Sequence, residues 1–300
     1  MLQAPQHPAH AGNLANLVVT EGPAFFFQVT GLAVPFMLDM APNAFDDQYE
    51  SCVEDMEKKA PQLLQEDFNM NEELKLEWEK AEINWKEIKN STSYPAGFHD
   101  FHGTALVAYT GNLAIDFNRA VRDFKKSPDN FHYKAFHYYL TRAVQLLNDQ
   151  GCSLVYRGTK VMFEYTGKGS VRFGQFSSSS LTKRVALSSN FFSNHGTLFI
   201  IRTCLGVNIK EFSSFPREEE VLIPGYEVYH KVTAQNDNGY NEIFLDSPER
   251  KKSNFNCFYN GSAQTVNIDF SISGSRESCV SLFLVVLLGL LVQQLTLAEL

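Results

Sequence analysis

The sequence has few basic residues, and they are not concentrated in one place. Its 300 residues include 26 Lys and Arg against 34 Asp and Glu, which gives a formal net charge of −8 at pH 7. The densest basic cluster, residues 250–252, comes directly after Glu249, and a solvated loop explains it. Proteins that bind nucleic acids neutralise phosphates with a dense basic surface. The composition therefore argues against a nucleic-acid partner.

The sequence also lacks the local patterns of two common kinds of active site. A serine-rich stretch at residues 171–181 contains no Gly-x-Ser-x-Gly elbow, which weakens an interpretation as an acyl-transfer enzyme. The cysteines do not have the close spacing of a zinc site, and the histidines form no known ligand set with Asp or Glu. Core packing or helix capping is favoured for the histidines of the first half, which are His99, His102, His132 and His137. We expect no metal.

The last residues are apolar, and no Lys or Arg follows them. Residues 279–300 form this tail, and small residues precede it at Ser273, Gly274, Ser275 and Ser278. The pattern is typical of a lipid-anchor signal whose tail is removed. A single-pass membrane helix is the alternative, but it would usually have a basic flank. We expect residues 275–300 to be a signal for a glycosylphosphatidylinositol (GPI) anchor, attached at Ser275.

The first 38 residues are a less regular leader. Residues 13–38 are mostly apolar, but no basic segment precedes them and Glu21 interrupts the run. These features depart from the usual signal peptide. We nevertheless expect residues 1–38 to be an atypical targeting segment, because nothing else explains an apolar leader before the polar start at Asp39.

The cysteines and sequons fit an oxidising compartment. An even number of cysteines precedes the tail, and their spacing leaves all three possible pairings open: Cys52, Cys152, Cys204 and Cys257. Two sequons begin at Asn90 and Asn260 and are permissible glycan acceptors on a secreted chain.

The hydrophobic pattern changes in the middle of the chain. Between residues 39 and 150 it predicts helices over 46–56, 72–88, a start near 101–104, and 133–148. From residue 151 to 274 a period of two predicts strands over 152–157, 170–176, 197–203, 219–223, 226–232 and 241–245. An apolar content of 44% is sufficient for a full core. We therefore predict an α+β fold with one domain over residues 39–274.

Three short patterns in the β half indicate chemistry when taken together. Arg157 ends a strand and suits a phosphate, while Gly158 allows a ligand to approach the backbone. A serine run follows. Glu218 and Glu220 then precede two short strands hinged at Pro-Gly, and alternation along a strand places both carboxylates on one face, where they raise each other's pKa. Taken singly, these patterns are more typical of a surface arginine, an edge strand and a solvated acidic turn.

Five longer stretches carry a family resemblance. They are residues 41–49 (APNAFDDQY), 102–110 (HGTALVAYT), 155–159 (VYRGT), 172–180 (RFGQFSSSS) and 218–229 (EEEVLIPGYEVY). From residue 38 to the tail, the chain resembles the vertebrate ecto-mono-ADP-ribosyltransferases, in particular their T-cell ecto-ADP-ribosyltransferase 2 group. The resemblance implies a helical part packed on a mixed β-sheet sandwich core that binds NAD.

The resemblance also implies roles for particular residues. Arg157, Ser178 and Glu220 match the family's Arg-Ser-Glu catalytic set, Glu218 matches the first glutamate of Glu-x-Glu, and Phe191 lies where the family has an aromatic against the nicotinamide. The implied NAD-binding residues are Arg157, Gly158, Ser178, Phe191, Glu218 and Glu220. The family's disulfides correspond to Cys52–Cys257 and Cys152–Cys204.

The implied activity is mono-ADP-ribosylation at the cell surface. NAD is the co-substrate, no metal is needed, and the acceptors are arginine residues of extracellular or membrane proteins. The resemblance also implies accompanying NAD glycohydrolase activity. Two alternatives are a predominantly hydrolytic enzyme and a catalytically silent, GPI-anchored surface antigen.

Overall fold

The computed structural model describes residues 35–237 and 240–260. Most helices lie in the first half of the chain, as predicted: α1 (Val53–Met70), α2 (Glu72–Ile88), α3 (Asp100–Ala108), α4 (Ala114–Arg122), α5 (Lys134–Leu147) and, later, the short α6 (Lys183–Ala186). The predicted bounds of α2 are confirmed. Helix α4 was not predicted, because it is short and an irregular turn containing Gly111 precedes it.

Helix α2 shows how sequence and packing agree. Leu74, Trp78, Ala81 and Trp85 recur every three or four residues, and all four side chains are buried. At the start of the helix, the Asn71 side chain accepts a hydrogen bond from the backbone N–H of Leu74 at 3.0 Å. This cap stabilises the helix at the predicted position.

The predicted helix over residues 46–56 is wrong at its beginning. The carboxylates of Asp46 and Asp47 are buried, and they accept hydrogen bonds from backbone N–H groups between residues 254 and 258. Helix α1 begins later, and its first-turn acids are Glu54 and Asp55. A carboxylate can cap distant backbone groups as well as a helix end, and the sequence does not show which it does.

The second half forms a mixed sheet, which confirms the α+β class. Its strands are β2 (Ser153–Thr159), β4 (Val171–Arg172), β5 (Ser177–Ser180), β6 (Thr197–Thr203), β7 (Val207–Asn208), β8 (Glu220–Ile223), β9 (Glu227–Asp237) and β10 (Tyr240–Arg250). Their order is β4-β9-β10-β6-β2-β5-β8-β7, with β6 and β10 parallel and the other pairs antiparallel. A separate pair joins β1 (Phe36–Met37) and β3 (Phe163–Glu164).

One continuous sheet supplies both layers of the predicted sandwich. Val171 from β4 at one edge, Val221 from β8 near the other edge, and Val155 and Ile201 from the strands between them share one buried cluster. The sheet therefore curves so that its two halves face a common core. The helices build a second, larger cluster, which Phe176, Leu222 and other residues join to the sheet side.

The segment around Pro-Gly is not a hairpin. Strand β8 pairs with β5 and β7, whereas β9 pairs with β4 and β10. Pro224 and Gly225 thus carry the chain from one half of the sheet to the other. A Cβ at Gly225 would lie 2.6 Å from the backbone nitrogen of Gln175, so this crossing needs a glycine.

The predicted strand over residues 170–176 is also broken. Gly174 has a φ of +71°, and a Cβ there would lie 2.2 Å from that of Ala41. This left-handed residue ends the extended run, and the serines form a strand of their own, β5.

Both disulfides that the resemblance implies are present. Cys52–Cys257 joins the start of α1 to the end of the described chain. Cys152–Cys204 joins the ends of β2 and β6 across a sequence separation of 52 residues. A loop of that length corresponds to a stabilisation of about 4 kcal/mol in the chain-entropy account.

The described residues include no helix long and apolar enough to cross a membrane. The predicted anchor segment, residues 275–300, lies outside the described part, as do residues 1–34 of the predicted leader. Phe36 and Met37, which we assigned to the leader, pair with β3, and Leu38 is buried in the core of the sheet. The folded domain therefore includes residues that precede the predicted boundary at residue 39.

Candidate active site

A pocket of about 840 Å³ lies between the sheet and the α3–α4 region. The structure brings all six residues implied for NAD to its lining: Arg157, Gly158, Ser178, Phe191, Glu218 and Glu220. They come from β2, from β5, from the segment after α6, and from the turn into β8. A pocket of this size can enclose much of a dinucleotide-sized ligand.

Arg157 links β2 to β5, two strands whose residues line the pocket. Its guanidinium donates from Nη1 to the backbone carbonyl of Ser178 at 2.6 Å. Burial lowers the pKa of this guanidinium, although Tyr109 and Glu220 oppose the shift. A planar, permanently charged donor in this place suits a phosphate group.

Gly158 also has a packing role, besides the predicted approach of a ligand to its backbone. A Cβ at this residue would lie 1.9 Å from the carbonyl oxygen of Ala186. The glycine therefore allows α6 to pack against β2. Since Ala186 also lines the pocket, this contact shapes the pocket wall.

The Glu-x-Glu pair is brought together by a turn, so the predicted alternation along one strand is wrong. Glu218 ends a 3₁₀ turn (Pro216–Glu218), Glu219 is left-handed with a φ of +48°, and Glu220 is the first residue of β8. The left-handed residue reverses the chain locally, so that Glu218 and Glu220 still reach the same pocket. A non-glycine residue with this φ is strained, and such residues cluster at functional sites.

Glu220 is buried and surrounded by hydrogen-bond donors. Only 6% of the residue is exposed, and Ser213 Oγ donates to its Oε2 at 3.3 Å. Burial raises the pKa of this carboxyl, hydrogen bonds from Ser178 and Ser213 lower it, the Glu218 charge raises it, and Arg157 lowers it. The site thus holds one carboxylate in a fixed place with limited solvent.

Glu218 and Glu219 have different surroundings. Glu219 accepts a hydrogen bond from Thr182 Oγ1 at 2.6 Å and lies 3.8 Å from Lys210 Nζ. Within the described residues, no hydrogen bond or ion pair reaches the Glu218 carboxylate, whose pKa is raised by burial alone. Glu218 is therefore available to a cation that enters the pocket.

Phe191 lies at the wall of the pocket after α6. It is 37% exposed, and its backbone N–H donates to the carbonyl of Ser188. An exposed ring on a pocket wall can stack on a flat ligand.

Sequence reasoning missed one wall of the pocket. Helix α4 and the turn after it contribute Asn118, Arg119, Arg122 and Lys126, and Tyr109 precedes them. The three cations each have an acidic neighbour, at Asp116, Asp39 and Asp123 respectively. A basic period on α4 was the available signal, but the helix itself was not recognised.

A group of metal-type ligands elsewhere is explained by helix capping. Glu57, His99 and His102 are the set that the described residues bring together. The backbone N–H of His99 donates to His102 Nδ1 at 3.1 Å, at the start of α3, and His99 Nε2 lies 3.0 Å from the Glu57 carboxylate. Because His102 Nδ1 accepts the bond from the His99 backbone, the ring proton of neutral His102 lies on Nε2. A protonated Nε2 is a donor and cannot also ligate a metal.

Comparison with known proteins places this fold and pocket in one family. The family model described as NAD:arginine ADP-ribosyltransferase matches residues 38–253. T-cell ecto-ADP-ribosyltransferase 1 of Mus musculus is 78% identical over 272 residues, which covers 91% of this chain and 94% of the relative. T-cell ecto-ADP-ribosyltransferase 2 of Rattus norvegicus is 70% identical with the same coverage of both chains.

A solved structure of the same kind of enzyme is also similar to this chain. The crystal structure of a mutant of the eukaryotic mono-ADP-ribosyltransferase ART2.2 in complex with NAD is 72% identical, with a TM-score of 0.73. The match covers 75% of this chain and 100% of that one. This chain belongs to the NAD:arginine ADP-ribosyltransferase family.

Proposed function

We propose that the protein transfers ADP-ribose from NAD to arginine side chains of proteins at the cell surface and releases nicotinamide. The observation that carries this proposal is the contrast within one pocket. Glu220 is buried and hydrogen-bonded, and Arg157 lies in the same pocket. The Glu218 carboxylate has no hydrogen-bond or ion-pair partner among residues 35–237 and 240–260. Family membership and the NAD complex of ART2.2 support the proposal.

Glu220 stabilises the reacting sugar. Nicotinamide leaves NAD as a neutral base, so its departure needs no general acid, and positive charge grows on the ribose. A fixed carboxylate stabilises that charge only as it develops, which is the kind of interaction that accelerates a reaction. Ser178 orients Glu220. Arg157 and Gly158 hold the NAD phosphates so that the bond to be cleaved lies beside it, and Phe191 packs on the nicotinamide.

Glu218 binds and activates the acceptor. A guanidinium has a pKa above ~12 and is a poor nucleophile while protonated. The Glu218 carboxylate attracts the cation into the pocket and accepts a proton as the new bond to the ribose forms. The raised pKa of Glu218 suits a proton acceptor, since basicity rises with pKa.

The test uses the full chain, produced in mammalian cells and solubilised from membranes. We expect incubation with NAD and agmatine, a soluble guanidine, to yield mainly ADP-ribosyl-agmatine, with some free ADP-ribose from accompanying hydrolysis and nicotinamide equal to the sum of the two. Chromatography separates this product from free ADP-ribose. Formation of free ADP-ribose alone would support the glycohydrolase alternative, and absence of both products would support a silent surface antigen.

Attachment to the membrane follows from the sequence pattern. We propose a GPI anchor at Ser275, a cleaved atypical leader, and glycans at Asn90 and Asn260. Asn90 is exposed and Asn260 is half-buried at the end of the described chain. The relatives named ecto-ADP-ribosyltransferases support an extracellular location. Release of the protein from intact cells by a phosphatidylinositol-specific phospholipase C tests the anchor.

A further inference from the structure

Glu220 has a hydrogen-bond donor that the motif pattern did not include. Ser213 lies in the loop between β7 and β8 and is 8% exposed. Its hydroxyl donates to Glu220 Oε2 at 3.3 Å and accepts from the backbone N–H of Phe215 at 3.0 Å. Because a hydroxyl has one proton, the bond from Phe215 leaves that proton for the carboxylate.

The loop that carries Ser213 is anchored on both sides of this residue. Phe212 is buried and stacks on Trp85 of α2, with ring planes 15° apart. The backbone N–H of Ser214 donates at 3.0 Å to Thr110 Oγ1, in the irregular turn after α3. The hydroxyl of Ser213 is thus placed by two elements of the helical part and cannot easily turn away from Glu220.

We propose that Ser213 is a positioning residue for the proposed ADP-ribosyl transfer, which fixes the Glu220 carboxylate through its buried hydroxyl. This inference rests on the proposed function, because it assigns a role beside the carboxylate that stabilises the ribose cation. Ser178 on β5 and Ser213 in the loop between β7 and β8 then act on Glu220 from two different elements.

A pH profile separates this role from a purely structural one. The titratable and charged groups that face Glu220 are Glu218 from the turn, Arg157 from β2 and Tyr109 from the turn after α3. The Ser213 bond lowers the pKa of Glu220, so its removal raises that pKa. The acid limb of the rate profile must therefore move to higher pH, since the ionised form is the active one.

The experiment compares four forms of the full chain: wild type, Ser213→Ala, Ser213→Thr and Ser177→Ala. Ser177 is the matched control, because it is buried on β5, does not line the pocket, and its hydroxyl bonds to the Gln175 carbonyl. The measurements are kcat and KM for NAD from acid to alkaline pH, with agmatine as acceptor. Loss of a hydrogen bond to a charged group corresponds to about a 10- to 100-fold change in a rate or equilibrium constant.

We expect Ser213→Ala to lower kcat about 10- to 100-fold with little change in KM, and to move the acid limb upward. Ser213→Thr, which keeps the hydroxyl, should restore most of the rate, and Ser177→Ala should match wild type. An active wild type with an unchanged Ser213→Ala profile overturns the inference alone. The inference is also overturned if Ser213→Ala lowers kcat, its acid limb does not move, and Ser213→Thr does not restore the rate. If wild type forms neither ADP-ribosyl-agmatine nor free ADP-ribose, the proposed function is refuted as well.

Discussion

Glu220 and Glu218 lie two residues apart and enter one pocket, yet their surroundings are opposite. Glu220 is 6% exposed, accepts a hydrogen bond from Ser213, and has Ser178 close enough to lower its pKa. Glu218 is half-buried and has no side-chain partner within the described residues. A carboxylate that stabilises a developing charge benefits from being fixed in advance, whereas one that receives a substrate must be left unpaired. The contrast supports the proposed roles of Glu220 in the first task and of Glu218 in the second.

Replacement of Glu220 tests this contrast most strongly. Glu220→Gln keeps the volume and removes the charge that we propose stabilises the ribose cation. We expect NAD hydrolysis and arginine transfer to fall together, by about 10²- to 10³-fold. Rates of free ADP-ribose formation and of ADP-ribosyl-agmatine formation measure the two reactions. Hydrolysis at the wild-type rate would remove Glu220 from the shared step.

Replacement of Glu218 separates the two reactions. We expect Glu218→Gln to lower transfer to agmatine by about 10²-fold or more, the usual contribution of a general base, and to leave NAD hydrolysis in place. Glu219→Gln is the matched control from the same triplet. Since Glu219 is already bound to Thr182 and lies near Lys210, its loss should change neither rate. Retained arginine labelling by the Glu218 variant would overturn the assignment.

The pH dependence of transfer should reflect the same pair. Burial raises the pKa of both carboxyls from the ordinary glutamate value. As the pH falls through these raised values, both carboxyls become protonated. Transfer then decreases, because each proposed role needs the ionised form. We expect transfer by wild type to lose activity on the acid side at a higher pH than an unperturbed glutamate would give. An acid limb at the ordinary glutamate pKa would contradict this.

The family motifs predicted residues that line one pocket, but not the way the pocket is assembled. The residues Arg157, Ser178, Glu218 and Glu220 line one pocket, as the family motifs implied. Alternation along a strand was the wrong reason for the carboxylate pair, because the left-handed backbone at Glu219 cannot be read from a Glu-Glu-Glu run. Likewise, Gly158 makes room for Ala186, a residue that is remote in the sequence.

The fold shows the same division. Periodicity predicted α2 and β6 at their observed bounds, since each has a regular apolar pattern of its own. It predicted β9 and β10 as much shorter than the 11 residues each has, because their outer ends are exposed and polar. Asp46 and Asp47 were misread because their partners lie about two hundred residues away in the chain. What depends on contacts between distant residues was not available from local patterns.

A smaller effect is expected from the tether of the loop that precedes both carboxylates. Thr110 Oγ1 accepts the backbone N–H of Ser214, and Thr110→Val removes this bond at nearly constant volume. A neutral hydrogen bond contributes about 1 kcal/mol, which corresponds to about a five-fold change. Because the loop supports Ser213 and leads into both glutamates, hydrolysis and transfer should fall by the same factor. A fall in only one reaction would show that the loop serves one carboxylate alone.

A third buried carboxylate provides the comparison outside the pocket and should not affect turnover. Asp67 in α1 accepts the backbone N–H of Ala135 at 3.0 Å, and burial raises its pKa from 3.8 to about 7. Because the folded pKa lies above the unfolded one, the protonated form is favoured in the folded state. Stability from this residue is present below pH 4 and is lost as the pH rises towards 7. Melting temperatures of wild type and Asp67→Asn should therefore agree near pH 4 and diverge by pH 7, with the variant more stable. A difference that does not change with pH would mean that the Asp67 carboxyl does not titrate in this range.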